Sequence, residues 1–189
     1  MGLAVAAALG ASQPGLTRED ASRLRAKVDA INRNGQLEQP APLVTSVTER
    51  EVNAYLAFDG REQLPAGLAE PHITVLPDRS LSGTATLDLD AVRRQRQSRG
   101  WLDPLSYLSG TMPVSVSGRL EAANGFARFS LDTAKVGGVP VPKMVVQELL
   151  AFYSRTESNP RGLNLDDPYP LPARIRQIDV HPGEALVKQ

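Results

Sequence analysis

Residues Gly110 to Ser154 constrain the fold more than any other stretch, because they read as one long β-hairpin running into an amphipathic helix. Val114, Val116, Leu120 and Ala122 fall on one face of the first strand, with Ser115, Ser117, Arg119 and Glu121 on the other. That period of two marks a half-buried strand. Asn124-Gly125 supplies the two positive-φ residues of a tight turn. On the return strand Phe129 and Leu131 share one parity, whereas Ala134 and Val136 share the other. A bulge near Asp132 and Thr133 reconciles the two and bends the strand. Past Gly137-Gly138, read as a hinge into the helix, Val145, Val146, Leu149, Leu150, Phe152 and Tyr153 form a wide apolar stripe at helical spacing.

The remaining elements follow the same grammar. Thr17-Arg18-Glu19-Asp20 resembles a capping box and opens a helix with Leu24, Val28 and Ile31 as its apolar line, ending at Asn34-Gly35. Val44 to Val47 is a short strand. Thr48-Glu49-Arg50-Glu51 is a second capping box, leading a helix that ends at Asp59-Gly60. Asn53 on the second turn of that helix reads as solvated, the alternative being a hydrogen bond to neighbouring backbone. Pro71 to Leu89 is a hairpin turning at Pro77 to Ser80, with Leu81, Gly83, Ala85, Leu87 and Leu89 on one face. Asp103-Pro104 starts a short helix over 103–109. A polar loop from Thr156 to Asp167 precedes a last hairpin with Ile175, Ile178 and Val180, a turn at Pro182-Gly183, and Ala185 with Val187. A helix followed by two antiparallel strands thus recurs about three times, without residue-level repetition. The expected class is α+β, a curved antiparallel β-meander of successive hairpins wrapping amphipathic helices.

Composition narrows the function classes. Lys plus Arg and Asp plus Glu both number 21, so no global charge recruits nucleic acid. The absence of cysteine removes disulfides, a thiol nucleophile and thiolate metal sites. Gly2 to Gly10 is an uncharged apolar run too short to span a bilayer, and Ala8 with Gly10, or Leu9 with Ala11, suit a signal-peptidase site. Residues 1–11 are therefore expected to be the end of a secretory signal, 12–42 a helix and connector, and 43–189 a single α+β domain. The competing reading of the apolar run is a first helix packed in the core.

Candidate chemistry is sparse. His72 and His181 lie in no metal-ligand spacing, and both read as surface or turn residues. Asp88 and Asp90 share a strand face, with Asp90 read as the cap of the next turn; the pair lacks the glycine turn and distal Glu of a calcium loop. The G-x-S-x-G, Walker A and G-x-G-x-x-G patterns do not occur. The expectation is a protein that is not an enzyme and uses no cofactor or metal. A hydrolase would require Asp88, Asp90 or His72 to converge in one cleft. Arg93, Arg94, Arg96 and Arg99 beside Trp101 suggest an interfacial patch, with Arg93, Arg94, Arg96 and Trp101 as membrane-surface contacts. Ordinary solvated helix charge is the alternative.

The phrases Glu51-Val52-Asn53-Ala54-Tyr55-Leu56, Leu87-Asp88-Leu89-Asp90 and Pro168-Tyr169-Pro170-Leu171-Pro172, with the order of elements from Val44 to Gln189, carry a resemblance. The chain resembles exported bacterial envelope proteins of uncertain function related to the tubular lipid-binding (TULIP-like) superfamily. The resemblance implies a β-wrap around helix 143–154 with an apolar groove able to hold acyl chains. Independently, a bent sheet and a helix that each have one oily face suit a hydrophobic ligand. The lining candidates are Val114, Val116, Phe129, Leu131, Val145, Leu149, Phe152 and Tyr153, which would equally serve a filled core. The expected function is binding of a lipid or other hydrophobic small molecule in the periplasm or cell envelope. The alternative is an envelope interaction or assembly module without a cavity.

Overall fold

Strand β4 (Thr111–Ala123) and strand β5 (Phe126–Val136) form the spine of the sheet. Their ladder runs in register from Ala123↔Phe126 to Gly118↔Leu131 and resumes at Ser117↔Thr133, which leaves Asp132 without an opposite residue. The bulge lies where the reversal of side-chain parity places it. Ala127, Phe129 and Leu131 on one side of it, and Ala134 and Val136 on the other, all turn inward. Gly118 sits at the kink because a Cβ there would strike the Phe129 ring and the Ser130 carbonyl. On the outer face, the Ser117 and Thr133 hydroxyls are 2.8 Å apart and Arg119 pairs with Asp132 at 3.3 Å. Asn124 and Gly125 close the hairpin with φ of 54° and 80°.

The computed structural model describes residues 15–65, 67–96, 110–157 and 159–189. The apolar run before Gly10, the 103–109 helix and Trp101 lie outside them. In chain order, the elements before the spine are α1 (Arg18–Gln36), β1 (Val44–Thr48), α2 (Glu49–Phe58), a 3-10 turn (Arg61–Gln63), β2 (Leu68–Val75), β3 (Ser80–Asp88) and α3 (Leu89–Arg96). After it come β6 (Val139–Pro140), α4 (Lys143–Tyr153), β7 (Tyr169–Pro170), β8 (Gln177–His181) and β9 (Glu184–Lys188). Strands β2, β3, β4 and β5 are neighbours in sequence order, all antiparallel. Short β6 and β7 pair with the two ends of β5. The β8–β9 hairpin joins β4 through Ala122↔Ile178, and β1 pairs with β9. The result is an α+β fold in which a curved antiparallel meander curls into a half-barrel with helices against it.

The two capping boxes are both present, and the acidic member of each does more than close its own helix. Asp20 accepts from the amide and hydroxyl of Thr17 and also from Arg50 Nε of α2, at 2.9 Å. Glu51 accepts from the Thr48 amide at 2.9 Å and from Lys27 Nζ of α1 at 2.7 Å. Each helix therefore lends its cap acid to a base on the other, and both acids are buried. This explains why Val28 stays 43% exposed although its spacing suits the apolar line: Ala21, Leu24 and Ile31 are buried, and Lys27 turns inward to meet Glu51.

Four expectations about where elements begin and end need correction. α1 does not stop at Asn34-Gly35 but runs to Gln36; Gly35 is needed because the Ala173 backbone passes where its Cβ would be. β3 ends at Asp88, so Leu89 and Asp90 begin α3, and Asp88 rather than Asp90 accepts the Ala91 amide (3.0 Å). Gly137 and Gly138, with φ of 58° and 81°, form the turn into β6, not the entry to α4. The last hairpin begins at Gln177, after Ala173 and Arg174 adopt positive φ.

Asn53 is the largest departure. It is 2% exposed instead of solvated, and its amide clamps Ile73 of β2, donating to the carbonyl and accepting from the amide, both at 2.7 Å. One turn earlier, Glu49 accepts from the Val75 amide at 2.7 Å. A helical i, i+4 step of about 6 Å is close to the roughly 6.6 Å between alternate strand residues. α2 thus caps the outer edge of β2 as another strand would.

Two tests follow from these contacts. Thr17's hydrogen bond, helped by Arg50 and opposed by burial, lowers the Asp20 carboxyl from 3.8 to about 2. Burial raises the Glu51 carboxyl, but Lys27 and Thr48 more than offset it, for a net lowering. Between those values the unfolded chain binds more protons, so this stability is complete above about pH 4 and is lost as pH falls towards 2. Urea unfolding measured across that window should show a steep loss in the wild type and a shallower one in Asp20→Asn; equal slopes would contradict the assignment. Asn53→Ala should lower unfolding free energy by about 2–3 kcal/mol, because two buried backbone groups lose their partner. A change under about 0.5 kcal/mol would show that water replaces the amide.

Candidate functional site

A buried core lies at one end of the molecule, where Ile31 of α1, Ile175, and Val187 of β9 pack together against Val47, Leu171 and Ile178; a hollow of about 590 Å³ beside Leu171 and Ile175 is bordered by Asn124, Arg174, Arg176 and Gln177. The other end is different. There, Met112, Val114 and Val116 of β4, Ala134 and Val136 of β5, and Leu87 of β3 form the floor of an apolar trough of about 610 Å³. Leu68, Pro65 and Leu89 close one flank. The segment Val139 to Pro142 and the α4 residues Val145, Val146, Leu149 and Tyr153 form the opposite wall.

The floor follows from strand geometry. Residues 112, 114 and 116 alternate onto the inner face, and the registers Leu87↔Met112 and Val116↔Ala134 set three strands side by side. Ser115 and Lys135 also border the trough, but they pair with each other at the opposite parity, so their contribution is backbone. Among the described lining residues, no charged side chain faces the interior. A lining of this kind can hold hydrocarbon.

Helix α4 forms its wall without being enclosed: among its residues none is fully buried. It is fixed from behind by the loop after it. Gln147 donates to the Leu163 carbonyl at 3.0 Å and accepts from the Leu165 amide at 2.6 Å. The Ser154 hydroxyl accepts from the Leu163 amide at 2.6 Å, and Lys143 pairs with Asp166. Gly162, at φ 73°, lets the loop backbone pass against Ala151 where a side chain would collide. The polar face of α4 is therefore tied down, which leaves Val145, Leu149 and Tyr153 turned to the trough.

Of the residues singled out by sequence, Val114, Val116, Val145, Leu149 and Tyr153 come together here. Phe129 and Leu131 are inward on β5 but lie beyond the bulge, outside the lining, and Phe152 packs edge-on against Tyr153 with ring centroids 5.2 Å apart. Met112 and Val136 were legible, sharing parity with Val114 and Ala134. Leu68, Leu87 and Val146 carried the right character but no signal tying them to one site. Val139 to Pro142 became lining only through the β6 turn.

Arg93, Arg94 and Arg96 fall on α3, where Arg94 is exposed. Trp101, their expected companion, lies outside the described residues. His72 is exposed and pairs with Thr84, while Asp88 pairs with Thr111. The four residue steps from Thr84 to Asp88 separate the two by roughly 13 Å of strand. Among the described residues, no cluster of three or more His, Asp or Glu could hold a metal ion. No described helix is long and apolar enough to cross a membrane. Comparison of the chain with protein-family models gives no match, and comparison with curated proteins gives none.

Proposed function

We propose that this is an exported, non-enzymatic protein of the bacterial cell envelope that carries a hydrophobic small molecule, a lipid, in the trough between β4, β5 and α4. The observation that supports this reading is the contrast between the two ends of one sheet. Beside the α1 core, the hollow of about 590 Å³ at Leu171 and Ile175 is bordered by the polar residues Asn124, Arg174, Arg176 and Gln177; where α4 lies, an apolar lining borders about 610 Å³. That is within the range of small-molecule sites. Each methylene moved from water into such a lining contributes about 0.8 kcal/mol, so a single acyl chain gains enough to bind. Export accords with the apolar run at Gly2 to Gly10 followed by small residues.

The second reading, an envelope interaction module, draws on a different observation. Met144 of α4 is 69% exposed and lies outside the trough lining, as an apolar contact for a partner would be.

Leu149 separates the two, because it faces the trough and not the outer surface. Titration with a fluorescent acyl probe and native mass spectrometry after incubation with lipid vesicles should both show a one-to-one complex in the wild type. Leu149→Trp, which fills the trough, and Leu149→Glu, which puts a charge into it, should each weaken the complex at least tenfold while circular dichroism is unchanged. A wild type that stays at its bare mass and takes up no probe would refute lipid carriage.

A further inference from the structure

We propose that Phe129 is the end wall of the trough and sets the length of the single acyl chain it accepts; this rests on the lipid-binding reading above. The lining advances along β4 through Met112, Val114 and Val116, and along β5 through Val136 and Ala134. The next inward position on β4 is Gly118, and there the lining stops. Space that a side chain would take at Gly118 is occupied from across the ladder by the edge of the Phe129 ring.

The bulge makes this possible. With Asp132 unopposed, Phe129 pairs with Leu120 in register, yet its ring reaches back over Gly118 on the inner face. A hydrocarbon chain lying along the trough therefore meets an aromatic edge about one inward step past Val116. Volume limits the occupant as well. At roughly 30 Å³ per methylene, similar to a water, about 610 Å³ holds one long chain and not two. Because no described side chain charges the interior, the head group stays outside and the chain end faces Phe129.

The test is displacement of a fluorescent acyl probe by a graded series of saturated fatty acids, for the wild type, Phe129→Ala, Phe129→Leu and Phe129→Trp. Removing the ring frees space for about three methylenes at roughly 30 Å³ each. The preferred chain should lengthen by about that much in Phe129→Ala and by less in Phe129→Leu, and should shorten in Phe129→Trp. Acids longer than the wild-type optimum should bind Phe129→Ala on the order of tenfold tighter than they bind the wild type, while shorter acids change little. If Phe129→Ala does not fold by circular dichroism, the opposite shifts of the Leu and Trp variants carry the same test. Tight binding with the same optimum in every folded variant would overturn the wall and leave the lipid reading standing. A wild type that binds no acid of any length would overturn both.

Discussion

Asp132 has no backbone register partner across the β4–β5 ladder, and the concave side of the molecule depends on that single extra residue. A regular ladder would send either Phe129 and Leu131 or Ala134 and Val136 to the outer face, since alternation admits no other choice. The bulge lets both pairs face inward and increases the local bend. Gly118 is the matching concession on the other strand, giving up its side chain so that Phe129 can lie over the kink. The curl of the sheet and the floor of the trough both trace to these few positions.

A second constraint acts at the opposite end. Pairing Asp20 with Arg50 and Glu51 with Lys27 sets α1 against α2, and Asn53 and Glu49 then fasten α2 to the edge of β2. Buried acids are tolerated because each already accepts hydrogen bonds from its own cap. With that end fastened by these contacts, the sheet can leave its other end open without losing its shape. The open end has α4, whose attachment is mostly polar and directed away from the trough.

What the sequence made legible was local. Alternation at Val114 to Ala122, the parity change at Asp132 and the Asn124-Gly125 turn each rest on neighbours in the chain, and the ladder follows them. Thr17 and Thr48 behaved likewise, because a capping box closes within one helical turn. The failures were tertiary. Asn53 looked solvated because nothing nearby in sequence shows that Ile73 needs a partner. Gly35 looked like a stop signal because Ala173, which requires its missing side chain, lies far along the chain. Part of the site was visible on the same terms: parity identified Val114 and Val116, and helical spacing identified Val145, Leu149 and Tyr153. Leu68, Leu87 and the Val139 to Pro142 wall depended on strand order and on a turn that had read as a hinge.

The central claim is that hydrocarbon enters the open end and not the packed one. Methyl resonances of the intact protein, recorded with a fatty acid carrying a nitroxide near its chain terminus, test it directly. Broadening should be strongest at Val114, Val116, Val145 and Leu149, with Ile31, Ile175 and Val187 untouched. Broadening confined to Met144 on the outer surface, or none at all, would contradict the account.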